Sequence, residues 1–426
     1  MSYAANPATL QSLVQPHRIH SDVYTDPEIF DLEMKRLFGR AWLLVGHESQ
    51  IKRPGDYFTT SLATRPVIVV RDTSGNIRIL HNRCSHRGVH LCGRSQGTAD
   101  GMRFMCPYHG WTFDLHGALV GMPLRDQYGP SFSVADHALR AVPRVESYAG
   151  FIFASPSPEG EDLRTFLGCM RENLDNFIDR APQGELEVLD QGIKYRYRAN
   201  WKLVFENLND ILHPFYAHRS AANAIKTIDR ERLHPLLRTF STALPELTKL
   251  NSVTERFGHS YLQGVVAMGK TVPARDEYFD ALAQRQGEQK AWDALALDRH
   301  ITLLYPGGML FPTSLNFRIV RPLSASLTEV HGFVLRAKGA PEEVVRNAIE
   351  YCNYAASPMS PVGIDDFEIY ERAQRQYLSG ADQWISLHRC ADHDQNGGAI
   401  VGTSEAFIRN QYQAWLQYLC SNEVDA

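Results

Sequence analysis

Two short runs concentrate the metal-binding chemistry of this chain: Cys84-Ser85-His86, and further along Cys106-Pro107-Tyr108-His109. Each reads as a loop after a strand, so together they can present two thiolates and two imidazoles to one compact centre. Zinc would accept that set as a closed tetrahedral site. The Cys-x-His spacing is not that of a zinc finger, however, and it suits an iron–sulfur centre in which two His replace two Cys on one of two irons. Each loop would then give its Cys to one iron and its His to the other. Neutral imidazoles in place of thiolates remove negative charge and raise the potential, which favours an electron acceptor. His81, His90 and Cys92 lie close by but do not fit the paired-loop geometry and read as structural, whereas Trp111 and Tyr108 are expected to pack over the centre and limit water.

A second constellation runs from Asn200 to His218, Asn-Trp-Lys-Leu-Val-Phe-Glu-Asn-Leu-Asn-Asp-Ile-Leu-His-Pro-Phe-Tyr-Ala-His. Asn207, Asp210 and His213 are spaced to share one face of a helix. Pro214 lacks a backbone donor and clashes with the turn before it, so the helix is expected to kink or end near His213, which would swing His218 back. Two His and one carboxylate on one side of an iron leave positions open for dioxygen and substrate. Asp366 is the expected third ligand and Asp365 its alternate, at the start of a helix predicted over 365–377. Asn207, Leu208, Asn209 and Pro214 border this site by position and are candidate pocket walls.

The elements that must position these residues fall into two parts. From 42 to 155 short β-branched and aromatic runs alternate with turn residues; 67–70 and 77–80 flank Asp72-Thr73-Ser74-Gly75-Asn76 as a hairpin would, and Phe151-Ile152-Phe153 reads as a buried strand. Ser155-Pro156-Ser157-Pro158-Glu159-Gly160 then punctuates the chain. Beyond it, apolar residues at helical spacing predict one amphipathic helix over 163–178. Tyr195 and Tyr197 alternate with charged residues as on an edge strand, and Asn200 is placed to cap the next helix. Residues 223–295 give mixed signals and are expected to surround a pocket. Strands are predicted over 317–321 and 330–336, and helices over 341–355 and 404–419. The order implies an α+β chain, longer at 426 residues than one core usually grows.

Both motifs, in this order, make the chain resemble the large (alpha) subunits of Rieske-type aromatic-ring-hydroxylating oxygenases across roughly 35–420. The resemblance implies a β-rich Rieske domain at 41–155 and a catalytic domain at 156–426, an antiparallel sheet wrapped around helices (helix-grip, START-like), with 1–40 as a helical segment packed on it. It makes Cys84, His86, Cys106 and His109 the ligands of a 2Fe-2S cluster, and His213, His218 and Asp366 the ligands of a mononuclear ferrous iron. Asp210 becomes the acid that joins the two centres, hydrogen-bonded to His213 and to the partner subunit's His109 in a homotrimer, with a small beta subunit (α3β3) in some relatives. Many relatives carry Tyr where this chain has Leu212.

The implied reaction is insertion of oxygen from dioxygen into the ring of an aromatic small molecule, giving a cis-dihydrodiol or a phenol, with a substrate nearer in character to benzoate-like acids than to hydrocarbons. A carboxylate would need a cation, for which Arg219, Arg318 and Arg321 are the candidates. No Gly-x-Gly-x-x-Gly loop or plant-type ferredoxin cysteine run is present, so electrons must come from an NAD(P)H-dependent reductase, with or without a ferredoxin. A net charge of -4 and the absence of long Lys/Arg runs exclude a nucleic-acid footprint. No apolar window is long enough for a membrane span, the first twenty residues do not read as a secretory signal, and a cytoplasmic enzyme is expected. The competing readings are a Rieske monooxygenase acting on a side chain or quaternary amine, and a zinc-stabilised binding protein.

Overall fold

The structure is a computed structural model and describes residues 3, 6–190, 192–225, 244–264, 275–299, 301–395 and 400–421. It divides into two units, Phe38–Leu163, and Met1–Leu37 together with Arg164–Ala426.

In the first unit, the alternating runs form three small antiparallel sheets. One joins Ile77–His81, Arg65–Arg71, Asp56–Leu62 and Gln96–Thr98 in that order; a second joins Leu119–Gly121, Thr112–Asp114 and Arg103–Met105; the third joins Arg144–Tyr148, Phe151–Ser155 and Leu43–His47. The expected hairpin pairs Val67 with His81 and Val69 with Ile79. Asp72 closes its turn by accepting the Ser74 and Asn76 backbone N–H groups at 2.9 Å each, the local capture that makes Asp a turn residue. Ile68, Val70, Leu80, Phe104, Trp111 and Phe113 are buried in one core with Cys84 and Cys106, so both thiol-bearing loops grow from a packed base.

The second unit is built on an antiparallel sheet of eight described strands. Its order is Leu186–Val188, Leu327–Ala337, Asn316–Ser324, Gly308–Phe311, Ile301–Leu304, Ser260–Gln263 and Asn251–Thr254, with Ile193–Tyr197 also pairing along Leu327–Ala337. Tyr195 and Tyr197 point inward from this edge, while Lys194 and Arg196 reach Glu329 at 3.2 and 2.8 Å. The helices Glu342–Tyr351, Pro361–Ser379 and Ala406–Cys420 complete an α+β unit. Of the segment 223–295, residues 226–243 and 265–274 lie outside the described residues; the rest forms strands and the helices Glu277–Gln286 and Glu288–Ala296.

Two helix expectations need correction. The helix over 163–178 is broken into Leu163–Leu167 and Arg171–Asp179, because Gly168 adopts φ +50°, which ends a right-handed helix at little cost to glycine. The helix bearing Asp365 and Asp366 begins at Pro361, a residue suited to the first turn, so both acids sit one turn inside it. Among the described residues no helix is long and apolar enough to cross a membrane.

A buried anchor holds the helix Lys202–Leu208, which leads into the His213 segment. Glu33, fully buried, accepts from Trp201 Nε1 (2.9 Å), Lys202 Nζ (2.5 Å) and Trp415 Nε1 (2.7 Å). It thereby ties the segment before Leu37 to the helix Lys202–Leu208 and to the C-terminal helix. Removing one partner from such a pair costs about 3–5 kcal/mol, so the anchor is structural. The N-cap of the helix Lys202–Leu208 is Trp201, one residue after the expected Asn200, whose Oδ1 still accepts Lys202 N at 3.1 Å and whose amide donates to Tyr24 O and Ala325 O.

Core packing makes the second unit sensitive to acid. His259 is buried, donating from Nε2 to Phe166 O (2.9 Å) and accepting Tyr305 N at Nδ1 (3.0 Å). Burial pushes it down to about 4, against about 6.5 in an unfolded chain. Between those values only the unfolded chain takes up the proton, so its contribution is complete above about pH 6.5 and lost as pH falls toward 4, on the order of 3 kcal/mol. The melting temperature should drop over that interval by several degrees, and His259→Gln should remove that share of the slope; an unchanged slope in the variant would count against this origin.

Candidate metal centres

The two Cys/His loops of the first unit share one hydrogen-bond plan. Cys84 N donates to Val89 O (2.8 Å) and Gly88 N to Cys84 O (2.9 Å); likewise Cys106 N donates to Trp111 O (2.7 Å) and Gly110 N to Cys106 O (3.0 Å). Gly88 and Gly110 both take positive φ, +73° and +71°, which closes each five-residue turn. Their side chains meet: the His86 and His109 rings lie 4.7 Å apart, and the Cys84 and Cys106 thiols are hydrogen-bonded. Burial and the adjoining Cys106 push the Cys84 thiol up, and burial with neighbouring cations pushes His86 down. The imidazole is thus kept in the neutral form that ligates metal, and two close thiols ask for cationic charge to ionise.

One atom-level observation tests whether an iron–sulfur cluster suits this loop pair. The Nδ1 atoms of His86 and His109 are buried and have no protein partner, a rare and costly state for a polar atom that metal ligation relieves. Trp111 is buried and stacks on His86 at 4.6 Å and 10°. Tyr108 departs from expectation: it packs on His109 at 3.7 Å but remains 56% exposed, so its ring leaves that side open to water. Asn82 binds His90 Nε2 (2.9 Å), the Cys92 carbonyl (2.9 Å) and the Leu91 and Cys92 N–H groups, and burial pushes the Cys92 thiol up to about 11. These contacts give His90 and Cys92 structural roles.

In the second unit the helix Lys202–Leu208 stops well before His213, which corrects the shared-face expectation. Asn209 leaves helical geometry, and Asp210 Oδ1 accepts Leu212 N at 2.9 Å, forming a turn that competes with the helix. Pro214 does not end a helix but starts one, His213–Ala217, where its missing N–H costs nothing. The turn still brings the ligand candidates together. Donor atoms of His213, His218 and Asp366 all lie within 4.8 Å of one another. Asp366 Oδ1 is 3.5 Å from His213 Nε2 and 3.3 Å from His218 Nε2.

Both imidazoles are held from behind by oxygen acceptors. His213 Nδ1 contacts the Asp210 carbonyl, and His218 Nδ1 lies 3.4 Å from Asp365 Oδ2. Each ring is therefore steered to offer Nε2 to the common centre, the outer arrangement seen around metal-bound histidines. Burial alone would raise Asp366, but His213 and His218 outweigh it and hold the carboxyl well below the usual range; burial alone would lower His218, but Asp366 and Asp365 hold it up. The centre between them favours positive charge, and two imidazoles with one carboxylate fit a divalent iron.

The remaining candidates divide. Asn207 Nδ2 donates to Asp366 Oδ1 (3.2 Å). Asn209 Nδ2 donates to Ser260 Oγ (2.8 Å) and its Oδ1 has no partner, while Leu208 and Pro214 are half-buried on the flanking segments. Asp210 departs from its expected contact: its backbone carbonyl, not its carboxylate, meets His213. The carboxylate instead accepts from Arg389 Nη2 at 2.9 Å. Arg389 was missed in the sequence, because an ion pair across 179 residues leaves no periodic signal. Its guanidinium is further fixed by Thr403 O (2.6 Å) and lies 3.7 Å from Glu405.

Comparison with known proteins follows the same division. Residues 41–148 match the Rieske 2Fe-2S domain, and residues 186–421 match the ring hydroxylating alpha subunit catalytic domain. The chain is 34% identical to the large subunit of 2-halobenzoate 1,2-dioxygenase from Burkholderia cepacia, over 88% of this chain and 80% of that one. It is 39% identical to the alpha subunit of biphenyl 2,3-dioxygenase from Rhodococcus jostii, over 95% and 89%. Its fold matches naphthalene 1,2-dioxygenase from Rhodococcus sp. bound to indole, with a TM-score of 0.80 and 25% identity over 100% of both chains.

Proposed function

Since the chain belongs to the family of ring-hydroxylating oxygenase alpha subunits, we propose that it is a terminal oxygenase component that hydroxylates an aromatic ring with dioxygen and reductase-derived electrons. The observation that carries this reading is the convergence of His213, His218 and Asp366 on one centre, in a chain that also holds the paired Cys/His loops. The family's cofactors are a Rieske 2Fe-2S cluster and a single iron.

In this reading Cys84, His86, Cys106 and His109 hold the cluster, and His213, His218 and Asp366 hold the iron. When bound, the iron would supply dioxygen activation and the cluster would supply electrons. The protein's part is positional. The Asp210 carbonyl and Asp365 keep the Nδ1 side of each imidazole occupied, so Nε2 faces the metal. Asn207 donates to the Asp366 oxygen nearest both rings and keeps that carboxylate from rotating. Asp210 and Arg389 stay 21% and 29% exposed, accessible to a neighbouring subunit, which supports a homotrimer in which the cluster of one subunit serves the iron of the next. A beta subunit belongs to the same proposal. None of the seven cysteines is paired in a disulfide, as suits a reducing cytoplasm.

The relatives above are named for a halobenzoate, biphenyl and naphthalene, all planar aromatic rings, and the first of these is an acid. The test is oxygen uptake by the purified protein with an NAD(P)H-dependent reductase against a panel of aromatic acids and hydrocarbons, using isotopically labelled dioxygen. Both labelled atoms should appear in a cis-dihydrodiol. One labelled atom would move the assignment to monooxygenation, and uptake uncoupled from any hydroxylated ring product would remove it.

A further inference from the structure

The three arginines that could meet a substrate carboxylate have different surroundings. Arg219 is exposed on the helix Arg219–Ile225. Arg321 is buried but already balanced, with Glu329 Oε1 at 3.6 Å and His331 Nε2 at 3.2 Å. Arg318 is 7% exposed, and among the described residues no carboxylate lies within ion-pair distance of it. Its guanidinium lies 4.4 Å over the Phe311 ring, and Tyr195 lines the same recess.

A buried guanidinium cannot discharge itself, since arginine keeps its proton at any ordinary pH. Buried and without an anion it costs several kcal/mol, and the neighbouring groups do not supply one. Burial pushes the Cys352 thiol up to about 11 and also raises Tyr195, so both are neutral near pH 7. Gly332, across the strand pair from Arg318, leaves room where any other residue would place a side chain.

Arg318 lines a cavity of about 20 Å3 whose other walls include Ile193, Phe333, Val334 and Ala356, room for about one water-sized group such as a carboxylate oxygen. Asn316 lines it too, with a buried Oδ1 that has no partner. The Asn316 Oδ1 is an acceptor and does not pair with a carboxylate, so it is the guanidinium in an otherwise apolar recess that suits the site to an anion. The recess also adjoins the helix that carries Asp366: Tyr195, in the same lining as Arg318, packs at 5.0 Å on Phe367, the residue after Asp366.

We propose that Arg318 is a specificity-determining residue that binds the carboxylate of an aromatic acid and thereby selects acids over neutral rings. This rests on the ring-oxygenase reading for what happens to the bound acid, but not for the binding itself. The planar fork of the guanidinium matches two carboxylate oxygens at once, and the apolar walls strengthen that pairing.

The experiment is equilibrium binding of benzoate and of benzamide, its uncharged analogue of similar shape, to metal-loaded full-length protein without reductase. Wild type should prefer benzoate. Arg318→Met should weaken benzoate by roughly 10- to 100-fold, the range expected for loss of a charge-assisted hydrogen bond, and change benzamide by less than about 3-fold on the same scale. Arg318→Lys should fall between, because an ammonium keeps the charge and loses the fork. It carries the test if the methionine variant does not fold. Equal losses for both probes, or no benzoate preference in wild type, would overturn the assignment. A protein that binds benzoate through Arg318 but consumes no oxygen with any ring would instead refute the oxygenase reading.

Discussion

Replacing His213 by alanine should leave the purified protein red-brown, with acid-labile sulfide unchanged, while it loses one iron per chain and all measurable turnover. The separation follows from the architecture. His213 lies in the unit whose donors converge on Asp366, and the paired Cys/His loops lie in the other unit. Without His213, Asp366 keeps His218 and the Asn207 amide but loses one of its two neutralising imidazoles. Loss of an outer-sphere partner costs roughly 10- to 100-fold in affinity or activity, and loss of a ligand should exceed that. Cys106→Ala should instead abolish both colour and turnover, because the buried thiol is one of only two in the loop pair. Iron and sulfide analysis, visible absorption before and after reduction, and oxygen uptake read the two variants in parallel. A His213→Ala protein that still oxidises substrate would overturn the iron assignment, and a colourless wild type containing zinc would overturn the cluster.

What could be read from the chain alone was what the chain carries locally. Each Cys/His pair lies within one turn, so its spacing encodes the turn that presents it, and the matching glycines Gly88 and Gly110 finish the plan. His213 and His218 are equally close in sequence. The path between Asn207 and His213 was misread because three-residue spacing implies a helix only when no side chain competes for the backbone. Asp210 competes, taking the Leu212 N–H that a helix would have used. The single helix over 163–178 failed for a related reason, since periodicity does not register a glycine entering positive φ at Gly168. Contacts between distant segments had no local signature at all. Arg389 on Asp210, Glu33 under Lys202 and, among the described residues, the lack of a carboxylate beside Arg318 emerge only when the sheet and helices are assembled.

Asp210→Asn should retain both metals and slow electron delivery from cluster to iron by roughly 10- to 100-fold. Metal retention is expected because His213 is held by the Asp210 backbone carbonyl, which the substitution does not touch. An asparagine oxygen can also keep the Leu212 N–H, so the turn that places His213 survives. What disappears is the negative charge facing Arg389, leaving that guanidinium with Glu405 at 3.7 Å as its nearest remaining anion. In the proposed bridge the carboxylate would act through that charge, by favouring a protonated or oriented imidazole on a neighbouring subunit, and an amide offers neither effect. The measurement is single-turnover oxidation of the pre-reduced cluster in the presence of substrate and dioxygen, set beside iron and sulfide content. A wild-type rate with full metal would reduce Asp210 to a turn-forming residue. Loss of iron would mean that its carboxylate, and not its carbonyl, holds His213 in place.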